Sequence, residues 1–177
     1  MTAGGGTAIS SNLTSLADRI DRLTGTIGRA AAWLVLAVVL LEFALVIARY
    51  LFGMGSIWLS EAAVYAHAAL FMLAAAWTLS AGGHVRVDIF YADASARTKA
   101  MVDLVGALLL LMPFALALLY LATPYVGRSW AILERSQESS GLPLLFVLKT
   151  LIPVFAALMA LQGVAQAIRA ANALRAR

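Results

Sequence analysis

Long apolar stretches separated by short polar ones dominate the chain. Four runs, about residues 30–51, 57–81, 101–123 and 142–168, are apolar almost throughout. Each is close to or above the roughly 20 residues a helix needs to cross a bilayer. Ahead of them, Leu13, Leu16, Ile20, Leu23 and Ile27 recur at steps of three and four, a helical stripe. Ser15 and Asp18 stand in the spacing that starts helices. The pattern predicts an all-α integral membrane fold. A disordered N-terminus over 1–12 leads into an amphipathic interfacial helix over 13–27. A four-helix membrane domain follows over 28–170, then a C-terminal tail over 171–177.

Local chemistry sharpens the boundaries. Asp93 is placed to cap ASARTKAMVDLV, which leads into the third span. Pro113 and Pro153 fall inside spans and should kink them, because each removes a backbone donor. Pro143 suits the first turn of the fourth span. Gly82 and Gly83 end the second, where glycine supplies a positive φ. In the largest loop, 125–141, Trp130, Ile132 and Leu133 suggest a short surface helix, with Glu134, Arg135 and Glu138 facing water or a partner.

Composition agrees with the pattern. Of 177 residues, 63% are hydrophobic and 12% charged, against roughly 25% charged in soluble domains. Mean hydropathy is +0.90. Most of the surface is therefore predicted to avoid water, leaving little chain for a soluble domain. The absence of cysteine excludes disulfides, thiolate chemistry and cysteine-ligated metal. The first apolar run carries Glu42 and is followed by ARYLFG rather than a small-residue cleavage site, so it reads as a retained span and not a signal peptide.

The net charge of +4 does not point to nucleic acid; its distribution gives orientation instead. Arg19, Arg22, Arg29, Arg86, Arg97, Lys99, Arg169, Arg175 and Arg177 fall on one side of the predicted membrane. Arg49, Arg128, Arg135 and Lys149 fall on the other. The positive-inside rule predicts both termini and the loop with GGHVRVD in the cytoplasm. Arg86 in that loop is placed to meet anionic lipid or a partner helix.

Charged groups inside spans cost several kcal/mol unless they are paired or face protein. Glu42, Glu61 and Lys149 lie roughly 12, 6 and 9 Å below the outer surface at about 1.5 Å per residue, with Arg49 at the rim. Their charges sum to zero. An ion-pair cluster that fixes packing within the chain or against another subunit is the simpler reading. A proton or ion pathway is the other, but the inner half offers it only His67, Gln162 and Gln166. Bis-histidine haem would need a second buried histidine, and the remaining one, His84, lies in the loop. AGGHVRVD lacks the glycine spacing and Lys–Ser/Thr ending of a phosphate loop. It reads as a hydrated turn.

The order of features resembles a known family. Arg49, Tyr50 and Phe52 close the first span; Trp58 and Glu61 open the second; Gly83, His84, Val85, Val87 and Asp88 follow it. This ordered set, within a likeness covering about residues 25–170, resembles the small membrane subunit of tripartite ATP-independent periplasmic (TRAP) transporters. Glu42 is not part of that pattern. The resemblance implies a secondary transporter in three parts. A periplasmic binding protein delivers an organic acid, and a large membrane subunit moves it inward, coupled to an ion gradient. The small subunit acts as a non-catalytic scaffold in the bacterial inner membrane. Sodium coupling is then expected in the large subunit, with no cofactor in this chain. GLPLLFVLKTLIP is similar to one branch of the family, which points to monocarboxylates or 2-oxo acids over C4-dicarboxylates. Apart from the resemblance, Ala62 and Ala66, and Gly163 and Ala167, are spaced for close helix approach. A membrane redox or enzyme subunit and a self-assembling channel are the alternatives. A bound haem or turnover without partners would mark the first, conductance from this chain alone the second.

Overall fold

In a computed structural model of the protein, residues 4–84, 91 and 93–175 are described, the side chains of 4–10 excepted. Their helices are α1 (Gly4–Ala32), α2 (Leu34–Phe52), α3 (Ile57–Ser80), α4 (Ala96–Val105), a π-helical segment (Gly106–Leu111), α5 (Met112–Ala131) and α6 (Leu145–Arg175). Four stretches are long and apolar enough to cross a membrane: Ser11–Phe52, Ile57–Ser80, Ala96–Ala131 and Leu145–Arg175. The four stretches alternate in direction, so the start of α1 and the end of α6 share one end of the bundle, here the terminal end; the 53–56 turn and the 132–144 loop lie at the far end.

The N-terminal helix is longer than its sequence pattern implied, and it packs differently. It starts at Gly4 rather than near residue 13. It passes into α2 through Trp33, whose backbone stays right-handed helical at φ −65° and ψ −19°. Its buried line is Ala17, Ile20, Thr24, Gly28 and Ala31, while Leu16 and Leu23 are exposed. The line therefore runs beside the leucine stripe, sharing only Ile20 with it. Contact with α3 and α6 explains the shift, because small side chains let helix backbones approach. A Cβ added at Gly28 would lie 2.5 Å from Cβ of Trp77 on α3. This face of α1 is filled by protein.

The third span also departs from expectation. Its N-cap is Ser95, whose hydroxyl accepts the Thr98 N–H at 3.2 Å, and not Asp93. Helix then continues to Ala131. Pro113 lacks an N–H, and its ring conflicts with the carbonyl four residues back. The chain meets this by widening into π geometry just before it, with the Met112 N–H bonding Ala107 O, five residues back. Pro124 and Pro153 lie within α5 and α6, where each removes one backbone bond.

The surface helix expected around Trp130–Leu133 is absent; Trp130 belongs to the last turn of α5. The helix closes with Leu133 N–H to Trp130 O at 3.1 Å and Glu134 N–H to Ser129 O at 3.0 Å. That pair of bonds forms a C-terminal cap usually centred on glycine. Here the left-handed residue is Leu133, at φ 46°, at a cost of roughly 1–2 kcal/mol. The turn redirects the chain so that Glu134 reaches α6. At the end of α3 the same cap uses Gly82 at φ 69°, with Gly83 N–H to Thr78 O at 2.8 Å. Gly82 thus matches its sequence reading. Pro143 precedes α6, which begins two residues later.

The core is built on α6. Ala76, Ala115, Leu158 and Met159 form one buried cluster, and Ala17, Ile20 and Ala165 another. Gly163 lets α6 meet the π segment and α5: a Cβ there would lie 3.0 Å from Sδ of Met112.

Candidate assembly site

Polar side chains gather at two levels of the bundle. The far-end group ties the 132–144 loop to α3 and α6. Ser56 caps α3 by accepting the Leu59 N–H at 3.2 Å, which sets Glu61 in the second turn. The Glu61 carboxylate accepts a hydrogen bond from the Ser136 hydroxyl and, at 2.5 Å, from the Leu142 N–H. Ser136 N–H bonds Leu142 O at 3.2 Å, closing the loop on itself. Gly141 must be glycine here, since a Cβ would collide with the Ser136 side chain and the Glu61 carboxylate.

Lys149, in the second turn of α6, completes this level. Its ammonium pairs with Glu134 at 2.5 Å and sits 4.4 Å from the Tyr125 ring centroid. Lys149 is 15% exposed and Glu134 29%, so water is mostly but not wholly excluded. The hydrogen bond from Lys149 holds the Glu134 carboxyl below its ordinary pKa. The Ser129 hydroxyl acts in the same sense from nearby without closing a hydrogen bond by distance and angle. Beside them Trp130 Nε1–H donates to Thr150 Oγ1 at 2.8 Å, and its ring meets Phe146 edge-on at 4.6 Å.

The second group binds α1 to α6. Gln162 is fully buried. Its Nε2 donates to Asp21 Oδ1 at 2.9 Å, and its Oε1 accepts from the Thr24 hydroxyl at 3.1 Å. Arg169 pairs with Asp21, and with Asp18 at 3.6 Å. Thr14 and Asn172 meet one turn further on, at 3.2 Å. The contacts run antiparallel, so the first and last helices are fastened together.

The four charges expected to cluster do not do so. Glu61 and Lys149 take separate partners within the far-end group. Glu42 and Arg49 are exposed on α2 and have no hydrogen bond or ion pair among the described residues. Trp58 is likewise half exposed. His67 is exposed at mid-span, tilted against Phe71 at 6.0 Å between ring centroids. The physical reason is reach. Glu61 and Lys149 each meet the 132–144 loop where it folds back over the bundle, at Ser136 and Leu142 and at Glu134, whereas α2 lies beyond that loop's contacts.

His84 is exposed at the terminal end and borders a cleft of about 700 Å³ with Tyr91, Thr98, Asp103 and Gln166. Tyr91 donates its hydroxyl to Asp103 at 2.9 Å. Gly83 follows the α3 cap; Arg86 and Asp88 lie outside the described residues.

Sequence reasoning missed Asp21, Arg169, Glu134 and Ser136. Asp18 looked like a helix-start signal and Arg169 like a topology charge. The available signal was Gln162, an amide within an apolar run, since a buried amide requires partners. Among the described residues no group of acidic and histidine side chains could hold a metal ion. What the arrangement supplies is rigidity: loop to helix at one end, first helix to last at the other.

A family model described as "Tripartite ATP-independent periplasmic transporters, DctQ component" matches residues 38–173. No curated protein and no solved structure matches the chain.

Proposed function

The chain belongs to the DctQ component family of tripartite ATP-independent periplasmic transporters, and we propose that it is the scaffold on which the large membrane subunit is held. It is a transporter component, not an enzyme, and a multi-pass membrane protein. In this proposal the large subunit carries the moving parts and couples uptake to a sodium gradient. A periplasmic binding protein delivers the substrate, an organic acid of the monocarboxylate or 2-oxo acid class. The membrane is the bacterial inner membrane. Both termini and the 82–100 loop are cytoplasmic; residues 52–56 and 125–141 are periplasmic.

The observation that carries the scaffold reading is where the polar groups are engaged. Glu61, Lys149, Asp21, Gln162 and Arg169 all make contacts between segments of this one bundle. Groups committed to holding helices and loops together favour a fixed body over a moving one.

Co-purification tests this. With this chain tagged and extracted in mild detergents, the large membrane subunit is expected with it at fixed stoichiometry. Its loss across several detergents contradicts the scaffold role. Orientation is tested separately, since the chain has no cysteine. An impermeant thiol reagent applied from the periplasmic side should label Ser139→Cys and spare Ala96→Cys. The opposite pattern inverts the topology.

A further inference from the structure

α2 and α3 form a hairpin whose outer side carries ionisable groups where lipid would otherwise lie. Glu42 is ten residues before the end of α2 at Phe52, and His67 is ten residues after the start of α3 at Ile57. At about 1.5 Å per residue both sit roughly 15 Å from the far end, near the middle of a roughly 30 Å hydrocarbon layer. Both are exposed.

They belong to two continuous rows. On α2 the exposed residues Val35, Val39, Glu42, Val46 and Arg49 follow alternating steps of four and three. That spacing makes a helix-packing seam of the kind that meets another helix at a shallow angle. On α3 the exposed row is Ser60, Val64, His67 and Phe71. Glu61 and Ala76, on other sides of α3, are engaged by the far-end loop and by the α5–α6 core. Turning 100° per residue along two antiparallel helices brings both rows to the same side of the hairpin, away from α6. α2 also buries no residue within the chain.

We infer that this α2–α3 face, centred on Glu42 and His67, is the surface on which a transmembrane helix of the large membrane subunit docks. That helix carries a basic or other strong donor level with Glu42, and an acceptor level with Arg49. The charge argument selects the occupant. A carboxylate at mid-depth facing lipid is strongly disfavoured, whereas one facing protein finds a donor. A second copy of this chain, inserted with the same orientation and related by a two-fold axis along the membrane normal, would set Glu42 against Glu42 and Arg49 against Arg49, like charge against like. Lipid would leave both groups without partners.

The occupant presupposes the scaffold role proposed above, and the experiment separates the two. A photo-cross-linking residue is placed singly at Val39 and Val46 in the assembled transporter. The controls are Leu109, in the π segment, and Leu121 on α5, both exposed. Cross-links to the large subunit are expected from positions 39 and 46 and not from 109 or 121. Glu42→Lys should lower the large subunit recovered about tenfold. Glu42→Gln, which still accepts a hydrogen bond, should retain most of it. If no large subunit accompanies the wild-type chain, the scaffold role itself falls, and the docking face with it. If it does, cross-links only from 109 and 121, cross-links to a second copy, or none at all overturn the docking face and leave the scaffold role standing.

Discussion

α6 and α2 are both apolar and both cross the membrane, yet they are used in opposite ways. α6 buries Ala156, Leu158, Met159, Gln162, Gly163, Ala165 and Ala170. α2 buries nothing. The difference lies in side-chain size and in where polar atoms sit. α6 offers alanine and glycine to its neighbours, so α1, α3 and α5 approach it closely, and its one fully buried amide is satisfied. α2 offers valine, leucine and phenylalanine on most sides, and its two charges have no partner among the described residues. In a membrane, lipid tails are as apolar as leucine, so packing comes from small residues and satisfied polar contacts. Hydrophobicity alone cannot tell the internal helix from the external one.

The largest effect that would sharpen this contrast is expected at the far-end group. Glu61→Ala removes the acceptor of two hydrogen bonds that fasten the loop. At about 1.5 kcal/mol or more for each bond to a charged group, it should cost roughly 3 kcal/mol, read as a lower unfolding midpoint in detergent. An unchanged midpoint would mean that the loop is held some other way.

Next comes a change to leucine from a small residue on each of the two sides. Gly28→Leu drives side-chain atoms into Trp77 and should cost roughly 1–3 kcal/mol. Ala44→Leu, on the exposed side of α2, should shift stability by less than about 0.5 kcal/mol in the isolated subunit. Similar losses at the two positions would break the comparison outright.

Gln162→Leu should follow. It keeps the volume but leaves Asp21 and Thr24 each short of a partner, at about 1–2 kcal/mol. Faster proteolysis or hydrogen exchange confined to α1 would identify the loss as undocking of that helix.

The smallest expected effect is a pH dependence. The folded-state pKa of Glu134 lies below its ordinary value, chiefly through Lys149. Its contribution to stability is therefore present above the unfolded-state pKa. It is lost as pH falls through the lower folded value, that is, below the ordinary 4.5. Trp130 fluorescence should report release of this corner on acidification, and Glu134→Gln should flatten the response. A response unchanged by that substitution would assign the transition to another group.

Some of this was legible from residue order. The four spans follow from run length, and Gly82 from the need for a positive φ. Glu61 and Lys149 stood out as charges too deep to be left alone. Their partners were not legible, because Glu134 and Ser136 lie in a stretch that reads as a surface helix facing water or a partner, until Leu133 turns it back onto the bundle. The packed line of α1 was displaced for a related reason. Periodicity points to the leucines, but close approach selected Ala17, Thr24 and Gly28. Pro113 was visible as a perturbation, while the π geometry that absorbs it depends on how the next turn of backbone can pair.

A chain that acts through assembly makes transport follow the amount of assembled complex, and both can be read in the same vesicles. Glu42→Lys, Glu61→Ala, Lys149→Ala and His84→Ala form the series. Uptake should fall in proportion to the complex recovered, so that all four fall on one line. His84→Ala, exposed and free to rehydrate, should lie near wild type, with Glu61→Ala and Lys149→Ala well below it. A His84→Ala transporter that assembles fully but moves no substrate would contradict the account and give the terminal-end loop a direct part in the transport cycle.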